Sequence, residues 1–135
     1  MSNFSEILVI ESDISELKKA ESFLYNIFKK RGIKERHFKK VFLCVSEAIM
    51  NSIYHGNDSQ RNKKISVKIE YKNDDIILEI SDEGEGFDYK GIEDPTIIKN
   101  LRKESGRGLY IIKSLCNQLE FKNNGSCIRI KIGLK

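Results

Sequence analysis

Residues 81–88 read S-D-E-G-E-G-F-D and follow a segment in which apolar and polar residues alternate. Asp82 therefore comes where a predicted strand runs out into a loop that contains Gly84 and Gly86. Glycine has no Cβ, so such a loop lets a flat ligand approach the backbone closely. A carboxylate beside it indicates a nucleobase amine as the ligand, but the stretch taken alone fits a tight surface turn better.

Segments with a strand-like period of two lie on both sides of this stretch. Segments 64–72 and 76–80 alternate around a short polar turn, which predicts an antiparallel pair of strands covered on one face only. A further strand is predicted at 128–132, after an N-G turn, and a short apolar run at 7–10 also has strand character.

Helical spacing, with apolar residues three and four apart, recurs in three segments. The first ends at Gly32, and the second runs from about Glu35 to His55. The third opens at Gly106, and its apolar stripe extends to Leu119. The order strand, two helices, two strands, loop, helix, two strands predicts an α+β protein, a two-layer sandwich with the helices on one face of a sheet.

Length and composition are those of an ordinary globular chain. With 135 residues, 39% of them hydrophobic and 33% charged, and no apolar run near the ~20 residues of a membrane helix, we expect one domain over 1–135 and no membrane contact. The first residues lack the basic and apolar regions of a signal peptide, so a cytoplasmic protein is expected. The formal charge of +4 is not gathered into a basic stripe, which argues against direct binding of nucleic acid.

Polar side chains recur along one side of the second predicted helix. Glu47, Asn51 and His55 are four residues apart, so they share a helix side. A carboxylate and a carboxamide one turn apart suit a magnesium-phosphate site, because magnesium takes few, hard oxygen ligands from protein. A solvated polar helix edge explains the same spacing, and His55 fits electrostatic support of the helix end better than metal ligation.

The third helix opens on glycines that flank an arginine. Gly106 and Gly108 would bring backbone N–H groups at a helix N-terminus next to the Arg107 guanidinium, just before Leu109. This combination suits a polyphosphate, since the helix dipole favours anions and arginine can fork onto phosphate oxygens. A glycine-rich cap with a solvated arginine is the simpler alternative. Only the order and spacing of the three motifs together are specific.

The three motifs resemble the ATP-binding boxes of the gyrase, chaperone, histidine-kinase and mismatch-repair (GHKL) ATPase superfamily. They read E-A-x-x-N-S-x-x-H-G at 47–56, D-E-G-E-G-F-D at 82–88 and G-R-G-L at 106–109. Within the superfamily the chain resembles the stand-alone anti-sigma-factor serine-protein kinases over essentially its full length. The resemblance implies the histidine-kinase-like ATPase fold, in which helices cover a mixed, mostly antiparallel sheet.

The resemblance also implies a role for each matched residue. Glu47 would be the general base, and Asn51 would be a ligand of Mg²⁺ in the ATP site. Asp82 would accept a hydrogen bond from the adenine amino group, while Gly84 and Gly86 make room for the base.

The remaining matched positions would surround the phosphates. Arg107 and the backbone of 106–109 would hold them, and the segment 89–105 would form a lid over ATP. Family members usually read G-T-T or G-T-x before the last strand, whereas this chain reads G-S-C. Ser126 keeps a hydroxyl that would reach the adenine-binding carboxylate, and Cys127 has no matching role.

The function that the resemblance implies is an ATP-dependent serine/threonine protein kinase and anti-sigma factor. It would phosphorylate an anti-anti-sigma protein and sequester a sigma factor, and a homodimer is a further expectation. A second hypothesis is a nucleotide-gated binding module that holds a partner without phosphotransfer; Glu47 is the only residue that argues against it. The catalytic half of a histidine kinase is a third reading, disfavoured because no phosphoacceptor motif is evident around His37.

Overall fold

The segments in which apolar and polar residues alternate form strands, and these strands lie in one sheet. A computed structural model describes residues 2–57, 60–84 and 103–135. Its strands and α-helices, in chain order, are β1 (Phe4–Glu11), α1 (Leu17–Arg31), α2 (Phe38–Asn51), β2 (Lys64–Lys72), β3 (Asp75–Asp82), α3 (Lys103–Leu115), β4 (Gln118–Lys122) and β5 (Cys127–Gly133).

The five strands lie in the order β1-β2-β3-β5-β4. Leu78, at the centre of β3, pairs in register with Ile69 of β2 and with Ile130 of β5, and all three side chains are fully buried. The polar residues between them lie on the opposite face of the sheet, as the period of two predicts. All strand pairs in the described residues are antiparallel, so the mixed pairing that the resemblance implied is not seen there.

The three helices contact the sheet through one apolar core, so the predicted α+β sandwich is confirmed. On α1 the buried stripe is Ala20, Leu24, Ile27 and Phe28, and on α2 it is Val41, Cys44, Val45, Ala48, Ile49 and Asn51. Within the described residues no helix combines the length and the apolar character needed to cross a membrane.

Local sequence explains how two of the connections form. Gly32 ends α1 with a left-handed φ of 71°, and its N–H donates to the carbonyl of Phe28, as predicted for a C-terminal glycine. The β2–β3 hairpin turns through Asn73 and Asp74, whose φ angles of 52° and 66° are those of a type I′ turn. The hairpin turn fixes the register of β2 against β3, in which Lys72 pairs with Asp75.

Two helix boundaries differ from the sequence prediction. The second helix is α-helical only to Asn51 and continues as a π-helical turn over Ser52–Gly56, which apolar periodicity does not reveal. The third helix begins at Lys103 rather than Gly106 and ends at Leu115. Leu119, predicted on the helical stripe, therefore lies in β4, where it pairs with Ile130.

Candidate active site

Glu47 lies where α2 packs against α3. Its side chain is partly buried, and a Cβ added to Gly108 of α3 would lie 2.9 Å from the Glu47 Oε2 atom. Among the described residues, no hydrogen bond or ion pair engages this carboxylate. Burial raises the pKa of Glu47 above the ordinary value of 4.5.

Asn51 lies one helical turn further along α2, ~6 Å along the helix axis. Its side chain is only 6% exposed, yet within the described part of the chain neither amide atom has a hydrogen-bond partner. An unsatisfied buried polar group costs about 1–3 kcal/mol, so such a side chain is typical of a ligand site. A carboxamide oxygen is a hard ligand of the kind that Mg²⁺ takes, so Asn51 fits the predicted metal role.

Asp82 is the last residue of β3 and continues the row of side chains that faces the helices. Its Oδ1 atom accepts a hydrogen bond from the Gly84 N–H at 2.8 Å, and its own N–H donates to the carbonyl of Ser126 at 2.9 Å. Burial raises the pKa of Asp82 above 3.8, and the Gly84 N–H opposes the shift. A side-chain contact from Ser52, in the π-helical turn, opposes the shift as well.

The backbone around Asp82 is packed too closely for ordinary side chains. A Cβ added to Gly56, at the end of the π-helical turn, would overlap the Asp82 carboxylate, and one added to Gly84 would overlap the Gly56 carbonyl. Glycine is therefore required at both positions. The end of the π-helical turn and the Asp82–Gly84 turn therefore pack closely against each other, with the Asp82 carboxylate at their contact.

The described residues thus assemble two halves of the predicted site. Glu47 and Gly108 form one half, Asp82 and Gly84 form the other, and Asn51 lies on α2 between them. Both halves use α2 or its π-helical end, so one helix sets their separation.

Some of the predicted site residues lie outside the described part of the chain. Gly86 and residues 89–102 lie outside the described residues, as does the Arg107 side chain. Because α3 begins at Lys103, the N–H groups after Gly106 lie inside the helix, where they bond to carbonyls four residues earlier. Leu109 is 1% exposed in the core, so its side chain is not available to a ligand.

Ser126 differs from the sequence expectation in its contacts. Its hydroxyl donates to the carbonyl of Asn123 at 2.9 Å instead of reaching the Asp82 carboxylate. Its backbone carbonyl accepts from the Asp82 N–H, so Ser126 anchors the carboxylate through the main chain. The left-handed φ of 53° at Asn123 is part of the turn that places this carbonyl.

Sequence reasoning missed two residues that complete the Asp82 half. Gly56 was read only as the end of a helix, although its place in the 47–56 motif was a signal for a close approach. Asn57 is fully buried and hydrogen-bonded to both neighbouring strand ends, which no sequence pattern indicated.

The fold places the chain among α+β domains in which helices cover one face of an antiparallel sheet, and the comparison with known families is more specific. The family model described as "Histidine kinase-like ATPase domain" matches residues 10–132, and the chain belongs to that family. Among curated proteins, it is similar to the "Serine-protein kinase RsbW" of Staphylococcus aureus strains bovine RF122 / ET3-1, MSSA476 and JH9. Identity to each is 29% over 113 residues, which is 78% of this chain and 71% of the relative.

Proposed function

We propose that this chain is an ATP-dependent serine/threonine protein kinase. The observation that carries the proposal is the Glu47 carboxylate, which no protein group engages within the described residues, held against Gly108 one turn from the unpartnered amide of Asn51. The similarity to proteins named serine-protein kinases supports the same reading.

The chemistry assigned to the chain is transfer of the γ-phosphoryl group of ATP to a hydroxyl. Glu47 accepts the proton of a substrate serine while that oxygen forms its bond to the γ-phosphorus. The bond from phosphorus to the β-γ bridging oxygen breaks, and ADP leaves with the electron pair. The raised pKa of Glu47 suits this role, because a base works best with a pKa nearer the working pH.

The other residues bind and orient the nucleotide. Asp82 accepts a hydrogen bond from the adenine amino group, and Gly84 lets the base lie against the backbone. The Asn51 amide oxygen would hold Mg²⁺, which when bound offsets the charge of the phosphates. Asn51 thus lies between Asp82, which recognises the base, and Glu47, which acts in the transfer.

The partners are part of the proposal. We infer an anti-anti-sigma protein as the phosphorylated substrate and a sigma factor as the sequestered partner, which makes the chain a regulator of transcription. The inferred setting is a single domain over 1–135 acting in the cytoplasm, as a homodimer. Similarity to named serine-protein kinases supports the phosphotransfer part directly, and the anti-sigma part follows from the family resemblance.

Labelled ATP tests the proposal. The protein, incubated with magnesium, γ-labelled ATP and a small anti-anti-sigma protein, should move the label to a serine or threonine of that partner. Replacing this residue by alanine in the partner should abolish the labelling. If the protein binds ATP and the partner but never transfers the label, it is a nucleotide-gated binding module. If it shows no heat of binding with magnesium-ATP, the nucleotide site itself is wrongly assigned.

Removing the Asn51 amide should uncouple nucleotide binding from magnesium. In the wild type, chelation of magnesium is expected to weaken ATP binding by about ten-fold or more, since the ion bridges protein and phosphate. Asn51→Ala should bind ATP with the same, weak affinity with and without the ion. Calorimetry at fixed ionic strength measures both values. Asn26→Ala, an exposed change on α1, is the matched control, and an Asn51→Ala protein with unchanged magnesium dependence would remove the metal assignment.

A further inference from the structure

Asn57 is a buried polar residue directly after the π-helical turn, and its side chain joins two strand ends. Its Oδ1 atom accepts from the N–H of Glu83 at 2.9 Å, just beyond β3, and its Nδ2 atom donates to the carbonyl of Lys64 at 3.2 Å, at the start of β2. The backbone of Asn57 is held as well, since its N–H donates to the carbonyl of Ser52 at 2.8 Å. With 0% exposure, Asn57 is fully enclosed by the protein.

The Glu83 contact matters because it lies between the two residues that form the base site. Three successive N–H groups have defined acceptors: Asp82 donates to the Ser126 carbonyl, Glu83 to Asn57 Oδ1, and Gly84 to the Asp82 carboxylate. The first acceptor lies beside β5 and the last lies within the turn itself. Of the three, only Asn57 ties the turn to the end of α2.

The neighbouring residues show how tightly this position is defined. Gly56 precedes Asn57 and lies so close to Asp82 that no Cβ fits between them. A second link runs from the Lys64 N–H to the Glu83 carboxylate at 2.6 Å, but it joins β2 to β3 and does not involve α2. Ser52, in the π-helical turn, adds a side-chain contact to the Asp82 carboxylate. Asn57 is thus one of the contacts that set the distance between this carboxylate and the residues of α2, and it is the one that holds the Glu83 N–H.

We propose that Asn57 is a positioning residue for base selectivity, which rests on the proposed binding of ATP. It holds the Asp82–Gly84 turn against the end of α2, so that the Asp82 carboxylate meets the adenine amino group while the phosphates reach Asn51. Loss of the Asn57 side chain should let this turn shift, and the difference in affinity between nucleotides with different bases should become smaller. A residue that only stabilised the fold would lower affinity for all nucleotides alike.

The test compares ATP with inosine triphosphate, in which a carbonyl oxygen replaces the exocyclic amino group. Asp82 has a donor to bind in ATP and none in the inosine nucleotide, so the wild type should prefer ATP by about ten-fold or more. In Asn57→Ala this ratio of dissociation constants should fall to about two-fold or less. Calorimetry with magnesium on the full chain gives both constants, and thermal unfolding confirms that the variant is folded.

Asn117→Ala is the matched control. Asn117 also uses its Oδ1 atom to accept from a strand N–H, that of Gly133 at 2.7 Å, but at the sheet end where β3 begins. This variant should lose stability while keeping the ATP preference. Should Asn57→Ala fail to fold, Asn57→Ser removes the same two contacts while keeping a polar side chain, and the same fall in the ratio is expected.

The outcomes test the role of Asn57 and the adenine assignment of Asp82 separately. If the wild type prefers ATP and folded Asn57→Ala or Asn57→Ser keeps the full preference, Asn57 is a structural residue and the inference is wrong. If the wild type binds both nucleotides equally or neither, the adenine assignment of Asp82 fails, and the proposed function loses its base site.

Discussion

Replacing Glu47 by glutamine is expected to reduce phosphotransfer by ~10²–10⁴, the loss typical of a missing general base. Glutamine has nearly the same shape, so the packing against Gly108 is kept while the proton acceptor is lost. Glu47→Ala should show the same loss. Affinity for magnesium-ATP should stay within about three-fold of the wild type, because Glu47 is assigned to the hydroxyl proton and not to the phosphates. Single-turnover transfer from labelled ATP measures the first quantity, and calorimetry the second.

The pH dependence of transfer supplies a further check on Glu47. A base must be ionised to act, and burial raises the pKa of Glu47. As the pH falls, the wild-type rate should therefore begin to decline at a higher pH than an ordinary glutamate, with a pKa of 4.5, would cause. This decline should be absent from the residual activity of Glu47→Gln. Glu21→Ala, an exposed change on α1, is the control. Undiminished transfer by Glu47→Gln would show that Glu47 is not the general base.

The parts of this fold that sequence predicted are those that local rules determine. The period of two in β2 and β3 follows from a sheet with one covered face, and the residues at Asn73 and Asp74 tolerate the left-handed backbone that the hairpin needs. The carboxylate, carboxamide and glycine positions of the candidate site are predicted because their residue types fit one ligand. Each of these signals lies within a few residues of chain.

The parts that sequence missed depend on contacts between distant segments. Glycine in a helix interior costs roughly 1 kcal/mol, so Gly106 and Gly108 were read as a helix start. The structure shows a tertiary contact for Gly108 inside α3, since a side chain there would have to displace the Glu47 carboxylate. The burial of Asn57 likewise appears only once the ends of α2, β2 and β3 meet.

Asp82→Asn is expected to weaken ATP binding by roughly ten- to a hundred-fold or more, since a hydrogen bond to a charged group contributes ~1.5–3 kcal/mol. The amide keeps one oxygen that can accept from the Gly84 N–H at the observed position. Its NH₂ group then faces the adenine amino group, so two donors meet where a donor and an acceptor met before.

The same substitution should leave the protein folded and at least as stable, which separates recognition from stability. Burial raises the pKa of Asp82, so the folded state favours the protonated carboxyl. The stability that the protonated form contributes is lost as the pH rises through the folded pKa. A neutral isostere removes that cost at neutral pH. Inosine triphosphate tests recognition separately. Its carbonyl oxygen can accept from the new amide, so Asp82→Asn should bind it as well as or better than ATP. A variant that keeps the wild-type preference for ATP in calorimetry would show that the base is recognised elsewhere.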